Sequence, residues 1–192
     1  VTWTARTSGG NDLYGVTYGN GMFVAVAYSG TILTSTDAVN WTEWTSPRRD
    51  PLYGVTYGNG LFVAVGYGGT ILTSSDGVTW TARTWGGNSL NAVTYGNGLF
   101  VAVGRNGAIL TSPDGVTWTA RTSGGNDLNA VTYGNGLFVA VGGSYSSGTI
   151  LTSSDGVTWT QQTSSGNSFH GATYGNNTFV AVGDRGAILT SP

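Results

Sequence analysis

The 192-residue sequence contains no cysteine. That excludes disulfides and thiolate metal sites, and it leaves the redox compartment undecided. Lysine is also absent, charged residues make up only 8% of the chain, and the formal net charge is −2. Charge this sparse gives no electrostatic support for nucleic-acid or polybasic membrane contact. The lone histidine, His170, has no histidine or cysteine partner with which to hold a metal, so no metal and no cofactor are expected. No apolar run approaches membrane-spanning length, no signal-peptide pattern opens the chain, and Val1 in place of a methionine points to a processed or trimmed N-terminus. What is present is the opposite of a solvated coil: 39% hydrophobic and 12% aromatic residues, accompanied by 33 glycines.

These residues recur with a period. The tryptophans Trp3, Trp41, Trp80, Trp118 and Trp159 are spaced 38, 39, 38 and 41 apart, and the tyrosine series from Tyr18 and the isoleucine series from Ile32 keep the same beat. Five units of about 38–41 residues fill residues 1–192, leaving no linker and no second domain. Each unit carries four β-favouring runs divided by turn chemistry. In the second unit they are Leu52–Tyr57, Leu61–Val65, Thr70–Ser74 and Val78–Thr84. Asn59-Gly60 between the first two suits a type I′ hairpin, and Asp76-Gly77 turns the chain between the last two.

No hydrophobic helical period occurs. Four antiparallel strands per unit, repeated so that each sheet leans on the next, predict an all-β fold: a five-bladed β-propeller of four-stranded blades, in one domain. The chain opens on "VTWTART" and ends on "ILTSP", as though one unit had been divided. Val1–Thr7 is therefore expected to pair beside Ala187–Ser191 and close the ring from both termini. Such a ring predicts a monomer. Part of a longer array, or assembly between chains, is the competing reading.

The phrase "TSSDGVTW" at Thr73–Trp80 returns at Thr152–Trp159, with near-copies at Thr111–Trp118 and Thr34–Trp41. This S-x-D-G-x-x-W pattern resembles the Asp-box (BNR) repeat of sialidase-like β-propellers. The resemblance rests on Asp37, Asp76, Asp114 and Asp155 with Trp41, Trp80, Trp118 and Trp159; Ala38 replaces the first glycine. It implies a structural hairpin between third and fourth strands, not a catalytic site. Near-identical units follow either from recent amplification or from engineering.

Where the units agree they report the scaffold, so ligand contacts are sought where they differ. Departures gather in the connections between units and between second and third strands, which share one face of the ring. Seven arginines lie in or beside these loops. From them come the candidate binding residues Trp85, Arg105, Tyr145, His170, Arg185, Arg48 and Tyr53. Repeated Arg6, Arg83 and Arg121 are expected to pair locally.

Catalysis is not expected. A glycosidase needs two carboxylates facing across a cleft, whereas Glu43 sits on an outer strand and the divergent acids Asp50 and Asp184 occupy different units. The function read from the sequence is therefore a non-catalytic structural or binding scaffold. The alternative is a lectin-like module taking a sugar or small anion on the variable loop face, with a small molecule or glycan as partner and neither nucleic acid nor membrane.

Overall fold

A computed structural model describes every residue except 7, 8, 84, 122–124, 145, 146, 165 and 192. Five antiparallel sheets follow one another along the chain, four of four strands and a last of three among the described residues. The first contains β1 (Leu13–Gly19), β2 (Met22–Ala27), β3 (Thr31–Ser35) and β4 (Thr42–Thr45). The second contains β5 (Leu52–Gly58), β6 (Leu61–Gly66), β7 (Ile71–Ser74) and β8 (Thr81–Arg83). The third contains β9 (Leu90–Gly96), β10 (Leu99–Gly104), β11 (Ile109–Ser112) and β12 (Thr119–Arg121). The fourth contains β13 (Leu128–Gly134), β14 (Leu137–Ser144), β15 (Ser147–Ser153) and β16 (Thr160–Gln162). The fifth contains β17 (Phe169–Gly175), β18 (Thr178–Gly183) and β19 (Ile188–Ser191).

The local chemistry explains the strand ends. Asn59 and Gly60 both have positive φ, 48° and 74°, the type I′ geometry that matches the twist of the flanking strands. The same holds for Asn20-Gly21, Asn97-Gly98, Asn135-Gly136 and Asn176-Asn177. The fourth strand is shorter than expected: β8 starts at Thr81, after Trp80 rather than before it. The cause lies in the preceding turn, where Asp76 accepts the Val78 and Thr79 N–H groups and Trp80 Nε1 donates to the Gly77 carbonyl at 2.9 Å. Residues 77–80 are wound into that turn and cannot join the ladder.

Sheets pack by one rule, used four times. Val63, Val65 and Ile71 of the second sheet meet Leu90, Val93, Phe100, Ala102 and Leu110 of the third. Val24, Val26 and Ile32 meet the second sheet's counterparts in the same way, and Val101, Val103 and Ile109 meet those of the fourth. Val139 and Val141 pack against Phe169, Phe179 and Ala181 of the fifth. Glycine sets the close approach. A Cβ on Gly58 would lie 2.1 Å from Tyr95 Cγ, and one on Gly19, Gly96 or Gly134 would strike the tyrosine of the following sheet at 2.1–2.2 Å.

The expected closure is not formed. Residues 1–6 belong to no strand, Trp3 is 93% exposed, and among the described residues β19 has no strand partner on its outer side. Four nearly identical interfaces join the five sheets into an arc, and among the described residues no core cluster joins the fifth sheet to the first. The arc therefore ends in two uncovered faces. On the first sheet Val16 is 64% exposed where Val55, Val93 and Val131 are 9%; on the fifth, Ile188 is 67% exposed where Ile71 is fully buried.

Candidate functional site

The face carrying the Asp-Gly hairpins is occupied by its own structure. Each aspartate of these hairpins accepts the backbone N–H groups two and three residues on and a serine hydroxyl: Asp155 takes Val157 and Thr158 N–H, both at 2.8 Å, and Ser153 Oγ at 2.9 Å. These donors hold the Asp114 and Asp155 carboxyls down to a pKa of about 2, the Thr117 and Thr158 N–H groups being the largest cause respectively. Asp37 and Asp76 are lowered further, chiefly by the N–H groups of Asn40 and Thr79. Half-buried Trp80, Trp118 and Trp159 pack into the three interfaces between sheets one and four. In the first unit Ala38 holds the turn at φ 59°, a conformation the other units assign to glycine, and Trp41 packs on Phe23.

The loop face is arranged by a feature the sequence pattern did not disclose. At the second residue of every first strand the register slips by one, so that Tyr14, Tyr53, Asn91, Asn129 and His170 are bulged residues with no partner across the ladder. The bulge re-aims each side chain. Asn91 Nδ2 donates to the Leu128 carbonyl at 2.9 Å, and Asn129 Nδ2 donates to the Phe169 carbonyl at 2.8 Å, each tying its sheet to the next. Tyr14 and Tyr53 meet edge to face at 5.6 Å. His170, on the last sheet, turns to Asp184 with Nε2 2.6 Å from Oδ1.

That pair borders an open cavity of about 530 Å3 between the fourth and fifth sheets. Asp127, Ser144, Ser168, His170 and Asp184 supply its polar groups, with Asn126 at the edge. Asp127 Oδ1 already accepts the Asn106 N–H at 2.8 Å, and Asn126 Nδ2 donates to Thr149 Oγ1 at 3.0 Å. The cavity is thus lined by two carboxylates, two serine hydroxyls, one amide and one imidazole held in place by a carboxylate. Among the described residues no three histidine, cysteine, aspartate or glutamate side chains converge as metal ligands.

The remaining sequence candidates do not gather there. Trp85 is half-buried against the core of the second and third sheets and borders a separate groove of about 350 Å3 with Asn88, Asn106 and Arg121. Arg105 and Arg185 project from the exposed turns before β11 and β19. Arg48 pairs with Asp50 at 3.0 Å, and Tyr53 packs on Tyr14. Tyr145 lies outside the described residues. Arg83 and Arg121 donate to Thr73 and Thr111 Oγ1 at 2.9 and 2.8 Å, a bond that Trp44 and Gln162 make in their own units with Thr34 and Thr152. Those two arginines are cross-strand donors. From the sequence Asp184 stands out only as a divergent acid and Asp127 is not singled out; the difference of Asp184 from Tyr67 and Arg105 in the equivalent turns is the available signal.

No protein-family model matches the chain, and no curated protein matches it. Solved structures do. Virginiamycin B lyase from Staphylococcus aureus, in a catalytically inactive form with quinupristin, superposes with a TM-score of 0.79 at 17% identity, covering 96% of this chain and 71% of that one. YCF48 bound to a D1 peptide gives 0.72 at 17% identity over 94% and 65%. The WD40 β-propeller domain of Doa1 gives 0.75 at 12% identity over 96% and 66%. The fold is a β-propeller. At these identities the likeness extends to the fold alone, and the chain spans 65–71% of the length of these neighbours. No helix among the described residues is long and apolar enough to cross a membrane.

Proposed function

We propose that the chain is a non-catalytic propeller scaffold built on Asp-box-type repeats, with its variable loop face as the binding surface. The observation that carries this reading is how the loop-face polar groups are used. Asn91 and Asn129 bond to carbonyls of the next sheet, Asp127 accepts an N–H of the preceding sheet, and Asp50 Oδ2 accepts Thr70 Oγ1 at 2.8 Å. Side chains committed to these structural bonds are not available to move protons on a substrate. The box aspartates are ionised, hydrogen-bonded and on the opposite face, which removes them as general acids.

Among the described residues the His170–Asp184 pair is an arrangement that a general base would need, so it sets the test. Chromogenic glycosides, sialosides included, are incubated with the chain and with His170→Ala between pH 5 and pH 8. No turnover above the variant's background is expected. Turnover lost in His170→Ala would make the chain an enzyme and overturn the proposal.

The acceptor-rich cavity favours one refinement, a lectin-like site for a sugar over a small anion. Calorimetric titration with neutral monosaccharides and with sulfate distinguishes them. Sugar binding weakened by Asp184→Asn supports the refinement, whereas sulfate binding at Arg105 or Arg185 contradicts it.

A further inference from the structure

The two uncovered faces of the arc are the two halves of the interface that the chain already makes four times. The outer face of the fifth sheet presents Val180, Val182 and Ile188, the counterparts of Val63, Val65 and Ile71. On the first sheet Leu13 and Val16 are exposed and Phe23 is half-buried, the counterparts of Leu90, Val93 and Phe100, while Ala25 and Leu33, the counterparts of Ala102 and Leu110, are already buried. We infer that a second copy of this chain docks head to tail, its first sheet on the fifth sheet of its neighbour.

Three further unfilled places in the structure match parts of that second copy. The first is a seat for an aromatic ring. Gly19, Gly58, Gly96 and Gly134 each lie against the tyrosine of the following sheet, but a Cβ on Gly175 would meet nothing within 4 Å. The tyrosine that would follow in register is Tyr18, 59% exposed.

The second is a polar pair. In the turn before β11, Asn106 at φ 54° gives its N–H to Asp127 of the next sheet. Arg185 holds the same place in the turn before β19 at φ 57°, and Asp12 stands where Asp127 does, exposed at the start of the first sheet.

The third is a cavity. Trp80, Trp118 and Trp159 plug the first three interfaces, but no tryptophan packs in the fourth. There a cavity of about 540 Å3 remains, lined by Leu137, Val139, Ile150, Ala181, Phe179 and Leu189 among others. Residues 1–6, "VTWTAR", repeat the pattern of a fourth strand and carry exposed Trp3. In each of the first four sheets the fourth strand is followed along the chain by the first strand of the next sheet. A second copy whose residues 1–6 pair beside β19 therefore brings its own first sheet to the fifth and sets Trp3 over the cavity. Completion of a sheet by a strand of another chain supplies main-chain hydrogen bonds along with the apolar contact.

Such an interface is heterologous, so it propagates unless a ring closes, and that property supplies the test. Light scattering on the 192-residue chain, from about 1 to 500 µM, is expected to show mass rising with concentration. Val16→Arg disables one face and Ile188→Arg the other; both sites are exposed, and circular dichroism checks that the variants fold. Each variant alone is expected to stay monomeric, while their equimolar mixture forms a dimer that grows no further. Trp3→Ala is expected to weaken wild-type association by about tenfold or more. A wild type that is monomeric at 500 µM would overturn the proposal. So would either variant associating by itself, because that requires like faces to meet, and so would a mixture that remains monomeric.

Discussion

The four inner interfaces and the two terminal faces of the arc are written in almost the same residues, yet they live in different environments. Val55 and Val16 occupy equivalent positions and differ only in whether a sheet lies over them. The comparison teaches that burial in a repeat fold belongs to the neighbour as much as to the sequence. A unit does not carry its own core; it carries half of two.

The largest effect that could break this comparison is loss of an inner aromatic. Phe100 is fully buried, whereas its counterpart Phe23 is half-buried on the open face. Phe100→Ala is expected to cost about 3–5 kcal/mol, and Phe23→Ala less than half of that, by urea denaturation of the dilute chain. Equal costs would mean that the first sheet is covered in solution.

Glycine sharpens the same contrast. Alanine at Gly96 drives a methyl group into Tyr133 and is expected to cost about 1–3 kcal/mol, while alanine at Gly175 meets open space and is expected to stay within about 0.5 kcal/mol. Comparable losses at both positions would place a ring over Gly175. Smaller again is a gain. Ala38 adopts φ 59° in a turn where Gly77, Gly115 and Gly156 sit at 72–75°, so Ala38→Gly is expected to raise stability by about 1 kcal/mol.

The hairpin face answers to pH. The box aspartates have pKa values below their unfolded value of 3.8, so they bind fewer protons folded than unfolded near pH 3. Their contribution is fully present above about pH 4 and is lost as pH falls through about 2. The urea midpoint is expected to drop across that window, and Asp155→Asn is expected to flatten part of the drop. A midpoint unchanged between pH 4 and pH 2 would show that the turns do not depend on these carboxylates.

The strands and turns were legible because every signal was repeated. Asn-Gly pairs and alternating apolar runs recur in register, so an ambiguous strand in one unit is resolved by its copies. The Asp-Gly hairpins were legible for the same reason, although the tightness of residues 77–80, which shortens β8, depends on the Trp80 bond to Gly77. Ring closure was not legible. It depends on the rotation at each interface, which is fixed by how Gly58 admits Tyr95 and how Gly54 lies against Ala92, and no local pattern encodes an angle. The candidate site was legible in part. His170 stood out as the lone histidine, but its partner Asp184 is set by the bulge at the start of β17. Asn91 and Asn129 were not legible as donors between sheets, because the carbonyls they bind lie 37 and 40 residues further along the chain.

The central claim is that the isolated arc is open, with its N-terminal segment free. Hydrogen exchange at the amides of residues 2–6, in the chain diluted to about 1 µM, tests it most directly. Exchange at nearly the unprotected rate is predicted, against strong protection at Thr81–Arg83 of β8. Protection at residues 2–6 matching that of β8 in a monomer would mean that the ends join within one chain, and would contradict the open arc.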